Sequence, residues 1–412
     1  MRFSAVPGTG ENTGVVPDDS PLLFPFDTPR WQYPEPVHAE LLAHDPVPTV
    51  RLASGQRARL ATRFADVRTV LADNRFSRAE GAKPDAPTVV PGTNAPEMIT
   101  SMDPPEHTRL RRLVSKAFTF RAVERLRPRC EQVVDGLLTR MARERPADIV
   151  TMLADPLPAT MICEMLGVEV DDRQVFYRWL RAATAVVAAP PEEVEAATAQ
   201  AAGYLFELFA RRRAEPADDL VTALVQVNDE GDRLTEPELL MTVLTLFGAG
   251  QETTSNQLTK SLVLLLRHRN QWDLLVDKPD LVPGAVEELL RVVRLGPGAF
   301  TRVAVTDVEL TGGRVAYGEA IFAVLNAANH DPTVFSDPDR IDVARDNASA
   351  HLSFGHGIHH CLGAPLARLE LQLALHGLVT RFPALRLAVA ESDLAWNTHT
   401  VAGGPITLPV VW

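Results

Sequence analysis

Cysteine is scarce in this chain: three in 412 residues, an odd count. That excludes a disulfide framework and points to a reducing compartment. Basic side chains are outnumbered, 41 Lys and Arg against 53 Asp and Glu, for a net charge of −12, which argues against nucleic-acid binding. Long apolar runs are missing. The longest, Leu239 to Gly250, ends before Glu252 and Lys260 and is too short to cross a bilayer. Met1 to Asp19 shows no basic start followed by an apolar core, so no secretory leader is expected. No Gly/Ser linker, charge block or internal repeat divides the chain, and no flavin or nucleotide fingerprint is visible. These absences lead to a cytoplasmic single domain over 1–412, with 1–30 as an extended N-terminal arm. The hydrophobic fraction of 46% is ample for a core.

Read in order, the pattern predicts a helix from Val37 to His44 and two short strands around Ser54-Gly55 within Val47 to Thr62. A helix capped by Asp66 follows. Arg78 to Thr100 is a proline-rich loop, of a length that is usually functional or disordered. Residues 121–235 read as amphipathic helices broken at Pro156-Leu157-Pro158 and Pro190-Pro191. Strand-like stretches follow at Val303 to Leu310, Ile321 to Leu325 and Pro405 to Trp412. The class is mostly α with a smaller β-rich lobe.

Chemistry concentrates at Cys361, in Phe354-Gly355-His356-Gly357-Ile358-His359-His360-Cys361-Leu362-Gly363-Ala364-Pro365. A leucine-rich helical pattern, Leu366 to Leu378, comes next. A turn at the mouth of a helix presents unpaired N–H groups and favours negative charge, which lowers a cysteine pKa. Gly355, Gly357 and Gly363 let the backbone approach something flat and large, and Pro365 suits a first helical turn. A thiolate held this way serves as a nucleophile, a zinc ligand or a heme ligand. The crowd of His356, His359, His360 and Cys361 favours zinc. Zinc sites, however, pair ligands at short spacing and draw a second pair from elsewhere, and Cys130 and Cys163 have no such partner nearby. Cys163 reads as a core residue.

Glu236 to His268 is the longest helical pattern, roughly 50 Å at 1.5 Å per residue. Gly248-Ala249-Gly250-Gln251-Glu252-Thr253-Thr254 interrupts its apolar character. Glycine costs about 1 kcal/mol there relative to alanine, and a threonine hydroxyl that bonds back to a carbonyl bends a helix. An acid followed by an alcohol beside small residues suits oxygen chemistry on a flat cofactor, with Glu252 and Thr253 ordering water and relaying protons.

Met102 to Leu113 opens another helix, with Asp103 as a candidate cap. His107 and Arg111 share one face, a pair of donors for carboxylates. Arg109, Arg112 and Lys116 form a separate basic face. Glu288 and Arg291 stand three apart and pair on one helix.

Phe354, Gly357, Cys361 and Gly363, with His359, match the heme signature of the cytochrome P-450 superfamily, and the chain resembles that family from about residue 30 onward. Ala249-Gly250-x-Glu252-Thr253-Thr254 resembles its oxygen-binding helix. The resemblance implies a triangular helical prism with heme b (iron protoporphyrin IX) between two helices. It implies Cys361 as iron ligand, and Ala249, Gly250, Phe354, Gly355 and Gly363 against the cofactor. His107, Arg111, Arg302 and His359 would contact heme propionates. It places Val89, Val90, Phe247, Ala299, Phe300 and Val401 near the substrate, and joins Glu288 and Arg291 to Arg340 as structural braces.

The activity implied is monooxygenation, most simply hydroxylation, of a small organic molecule in secondary metabolism. O2 is the co-substrate, and electrons come from a ferredoxin and an NAD(P)H-dependent ferredoxin reductase. The expected oligomeric state is a monomer. Oxidative C–C or C–N coupling and a non-enzymatic heme sensor are the alternative readings.

Overall fold

Proline stands in the first turn of six of the α-helices described by the computed structural model: Pro36–His44, Pro156–Leu166, Pro191–Ala214, Glu236–Arg267, Val282–Val292 and Ala364–Arg381. A proline in a first turn sacrifices no intrahelical hydrogen bond and has its φ already set, so the expected breaks at Pro156 and Pro190-Pro191 are helix starts. The structure describes residues 21–26, 36–89, 95–183, 190–226, 234–296, 300–397 and 402–412.

The central helix, Glu236–Arg267, is the longest described. Its start is a capping box: the Thr235 side chain accepts from Glu238 N–H, and the Glu238 carboxylate accepts from Thr235 N–H at 2.8 Å. Such a cap contributes about 1 kcal/mol. The central helix packs against Pro156–Leu166, Arg173–Ala183 and the helix that follows the cysteine, Ala364–Arg381 (the cysteine helix). The cysteine helix lies in turn along Phe120–Met141. These helices share one large apolar core that includes Leu244, Phe247, Leu262, Leu371 and Leu375.

The smaller lobe is a six-stranded sheet in the order Leu22–Phe24, Thr49–Leu52, Arg57–Ala61, Ala320–Ala323, Arg302–Ala304, Phe76–Ser77. Thr49–Leu52 and Arg57–Ala61 form the expected hairpin, with Gly55 at φ 86° in its turn. Two apolar clusters flank the sheet, one around Val67, Val70 and Ile321 and one around Phe24, Leu60 and Phe322. A three-stranded sheet of Ala147–Asp148, Arg386–Leu387 and Pro409–Val411 lies apart. The mostly helical class with a β-rich lobe is borne out.

Local expectations change in several places. The strand expected from Ile321 to Leu325 is Ala320–Ala323, with a short helix at Leu325–Ala328. The final strand expected from Pro405 to Trp412 is Pro409–Val411, with Gly404–Pro405 paired in a separate sheet. Of the arm, 21–26 is described, and Leu22–Phe24 is a strand parallel to Val50–Leu52 with Phe24 buried. The helix expected from Asp66 begins earlier, at Phe64, and the Asp66 carboxylate accepts from Thr311 N–H at 2.7 Å. Asp103 does not cap the histidine helix, Glu106–Ser115. Its carboxylate accepts from Ser77 Oγ and from Arg78 N–H at 2.9 Å, and so anchors the short helix Arg78–Gly81. The stretch from Val303 to Leu310 divides into Arg302–Ala304 and Val308–Leu310.

Candidate active site

The loop before the cysteine helix is held by its own backbone. Cys361 N–H donates to Phe354 O at 2.8 Å, and His360 N–H donates to Gly357 O at 3.1 Å. Gly355 and Gly357 take φ values of 72° and 73°, where a side chain would be strained. A Cβ on Gly357 would also stand 2.8 Å from Ala72 Cα and Leu71 O. Gly357 therefore fits the loop against the end of helix Phe64–Ala72. Gly363 has open space before it.

The residue Cys361 keeps accessible surface, while protein atoms crowd around its thiol. Burial raises its pKa, opposed by the N–H groups of Gly363 and Ala364 and by the charges of Arg111 and Arg368. The expected lowering at the helix mouth exists but is outweighed by desolvation. A bound cation reverses that balance. Cys163 and Cys130 are core residues, and burial pushes the Cys163 thiol up to about 12. Among the described residues no group of three His, Cys, Asp or Glu side chains is arranged to hold a metal ion.

A cluster of cations lies beside this loop. The sheet register sets Ser77 opposite Val303, which brings Arg78 and Arg302 together. Burial, then their mutual repulsion, lowers the Arg78 pKa to about 9; burial lowers that of Arg302 to about 10. Both remain charged at neutral pH. Arg78 donates to Thr100 O at 2.7 Å and to Thr301 O, and Arg302 donates to Phe76 O at 3.3 Å. The rings of His107 and His359 lie 4.2 Å apart. Burial and then His107, Arg302, Arg78 and Arg111 push the His359 pKa down to about 2, and its buried Nε2 has no hydrogen-bond partner among the described residues. Arg111 donates to His360 O at 2.6 Å, bracing the residue before the cysteine.

His107, Arg111, Arg302 and His359 are thus brought together, as expected. Arg78 joins them without having been singled out, since nothing local in Asn74-Arg75-Phe76-Ser77-Arg78 distinguishes it from a surface arginine. Four of these side chains electrostatically oppose protonation of His359, and Asp103 is the acid that faces the group. Such a cluster accepts carboxylates. With the thiol beside it, the donor set fits a heme whose iron takes Cys361 and whose propionates take the cations.

In the central helix, Ala249 and Thr253 are exposed, one turn apart on a stripe whose neighbours are mostly buried. Thr253 Oγ1 donates back to Ala249 O at 2.6 Å, the expected back-bond. Glu252 is half-buried beside it. Gly250 faces elsewhere: a Cβ there would meet Ile162 Cδ1 at 3.2 Å, so this glycine lets the central helix approach Pro156–Leu166.

Several expected site residues are placed differently. Phe247 is fully buried and its ring stands 4.8 Å from that of Phe176, in the helical core. Val89 packs on the Phe24–Phe322 cluster of the sheet. Phe300 is 52% exposed, under the Arg78 guanidinium at 4.8 Å. Val90, Ala299 and Val401 lie outside the described residues. Arg109 leaves the basic face to pair with Glu238, whereas Arg112 and Lys116 stay exposed.

Glu288 and Arg291 form the expected pair, fully buried, at 2.7 Å. Arg340 is not their side-chain partner: its guanidinium pairs with Asp342 at 2.9 Å and is 66% exposed. Arg345 fills that place, 3.1 Å from Glu288. Spacing within an irregular loop could not decide between the two arginines.

A family model described as Cytochrome P450 matches residues 191–275 and 276–387. The chain is 47% identical over 392 residues to nocardicin C N-oxygenase of Nocardia uniformis subsp. tsuyamanensis, covering 94% of this chain and 98% of the relative. It is 46% identical over 398 residues to mycinamicin IV hydroxylase/epoxidase of Micromonospora griseorubida, covering 95% and 99%. The crystal structure of the LnmA cytochrome P450 hydroxylase of Streptomyces atroolivaceus superposes with a TM-score of 0.88 at 45% identity, covering 95% of this chain and 100% of that one.

Proposed function

The chain belongs to the cytochrome P450 family and is a heme-thiolate monooxygenase, and on that premise we propose that Cys361 holds the iron while the enzyme hydroxylates a microbial secondary metabolite. The observation that carries the assignment is the exposed Cys361 beside three converging guanidinium groups, Arg78, Arg111 and Arg302, and the imidazoles of His107 and His359. The relatives' names, an N-oxygenase and a hydroxylase/epoxidase, support oxygen insertion over coupling and over a sensor.

Heme, when bound, supplies the activation of dioxygen. The chain's own residues hold and feed it. Gly363 and Ala364 N–H groups steady charge on the Cys361 sulfur. Arg78, Arg302, His107 and His359, with Arg111, hold the propionates. Thr253 Oγ1 spends its proton on Ala249 O, which leaves its lone pairs to accept a hydrogen bond from a proton-bearing oxygen beside it. Glu252, one residue before, is a carboxylate that takes up and releases protons.

No helix of the described residues is long and apolar enough to cross a membrane. Our reading is a cytoplasmic monomer reduced by a ferredoxin and its NAD(P)H-dependent reductase, docked at Arg112 and Lys116. Reversing both charges should slow reduction more at low salt than at high salt; equal slowing would remove this surface from consideration.

The carbon monoxide spectrum of the reduced protein tests the ligand. A Soret band strongly shifted to the red is expected in wild type and not in Cys361→His; a histidine-type band in well-folded wild type would sink the assignment. Label from 18O2 in the product distinguishes hydroxylation from coupling.

A further inference from the structure

Glu287, next to the buried brace Glu288, faces the other way. Its carboxylate accepts two hydrogen bonds from Arg368 on the cysteine helix, at 2.8 and 2.9 Å. His351 Nε2 stands 3.2 Å from the same carboxylate. Ser353 N–H donates to His351 Nδ1 at 3.1 Å, so Nδ1 is an acceptor and the ring proton sits on Nε2, pointing at Glu287. The Arg368 guanidinium lies 4.5 Å from the centroid of Phe354, whose carbonyl oxygen receives the Cys361 N–H. A continuous set of contacts thus runs from Glu287 through Arg368 and Phe354 to the cysteine. The charge of Arg368 reaches the sulfur, where it favours the thiolate. Burial works against the ionised Glu287, but the His351 and Arg368 contacts prevail and hold its pKa at about 2.

We propose that Arg368 and Glu287 are a counterpoised pair that sets the reduction potential of the centre bound at Cys361. This rests on the reading of Cys361 as iron ligand. Reduction adds one electron, supplied by the ferredoxin-type donor, and lowers the net charge of the centre by one unit. A cation close to the sulfur stabilises that added charge, and an anion clamped on the cation takes part of the effect away. Neither residue touches the reacting atoms; both are positioning residues that act through the field.

The test is spectroelectrochemical titration of the heme-loaded protein, with the carbon monoxide spectrum recorded on each sample. Arg368→Gln should shift the reduction equilibrium at least fivefold toward the oxidised form, about 40 mV at 59 mV per tenfold for one electron. Glu287→Gln leaves Arg368 uncompensated and should shift it toward the reduced form. Arg368→Lys keeps the charge and should stay within twofold of wild type. Opposite signs support the proposal, because two variants that merely loosen the same contact would move together. Equal signs, or neither glutamine variant moving by more than twofold, overturn it. If Glu287→Gln fails to hold heme, the Arg368→Gln and Arg368→Lys pair decides alone, and equal shifts in those two overturn the proposal. A wild-type carbon monoxide band without the red shift would instead overturn the Cys361 assignment, a separate failure read from a separate signal.

Discussion

Arg345 Nε lies 3.1 Å from Glu288 Oε1, and the two side chains are 7% and 0% exposed. Arg345 also donates to Ser336 O at 2.7 Å and to Arg340 O at 2.8 Å. One guanidinium therefore ties a buried acid to two points of an irregular segment. Arg345→Ala leaves Glu288 paired with Arg291, so the cost is that of lost hydrogen bonds to a charged group, about 1.5–3 kcal/mol. Arg345→Ala should lose that order of stability in chemical denaturation and hold less heme on expression. Arg340→Ala, at an exposed pair, should stay within about 0.5 kcal/mol of wild type.

Gly357→Ala places a methyl group against Ala72 and Leu71 at a positive φ. Overpacking and backbone strain together should cost about 2–5 kcal/mol, read as a lower melting temperature. Gly363→Ala meets open space at φ −78° and should fold as well as wild type.

Lys260 is buried in the central helix and donates to Arg294 O at 2.9 Å and Ala402 O at 2.6 Å. Burial, then repulsion from Arg294, lowers its pKa from 10.5 to about 7, with Glu252 opposing. Between those values the unfolded chain binds more protons than the folded one, so this residue's contribution grows as pH rises and is lost as pH falls toward 7. Wild type should gain on Lys260→Met by about 1 kcal/mol per pH unit between pH 7.5 and 9, as measured by urea unfolding at several pH values.

Thr253→Ala removes the hydroxyl that bonds to Ala249 O. Consumption of NAD(P)H should persist with a surrogate ferredoxin system, while product per NAD(P)H falls about tenfold or more and hydrogen peroxide rises. Undiminished coupling would refute the role given to Thr253.

The elements that were legible in the sequence share a strong local signal. The long helical pattern from Glu236 announces the central helix, Pro365 the cysteine helix and Gly55 a hairpin. The motif around Cys361 found the thiol because its residue types are unusual together. What stayed hidden depends on contacts between distant segments. Arg78 reaches the cation cluster because Phe76–Ser77 pairs with a strand more than two hundred residues away. Phe247 lies on the interior helix that carries Thr253, but its side points to Phe176. The glycines divide similarly: Gly357 and Gly250 serve protein packing, and only a three-dimensional arrangement tells that from room for a cofactor.

The approach of Gly357 to Leu71 and Ala72 has a wider consequence. Leu352 belongs to the apolar cluster of the sheet, whereas Phe354 and Leu362 pack on the helical core. The cysteine is therefore carried on a seam where the two lobes meet. Heme retention becomes a reporter of lobe docking: a truncation such as Val70→Ala, distant in sequence from Cys361, should loosen the prosthetic group before it unravels the helices.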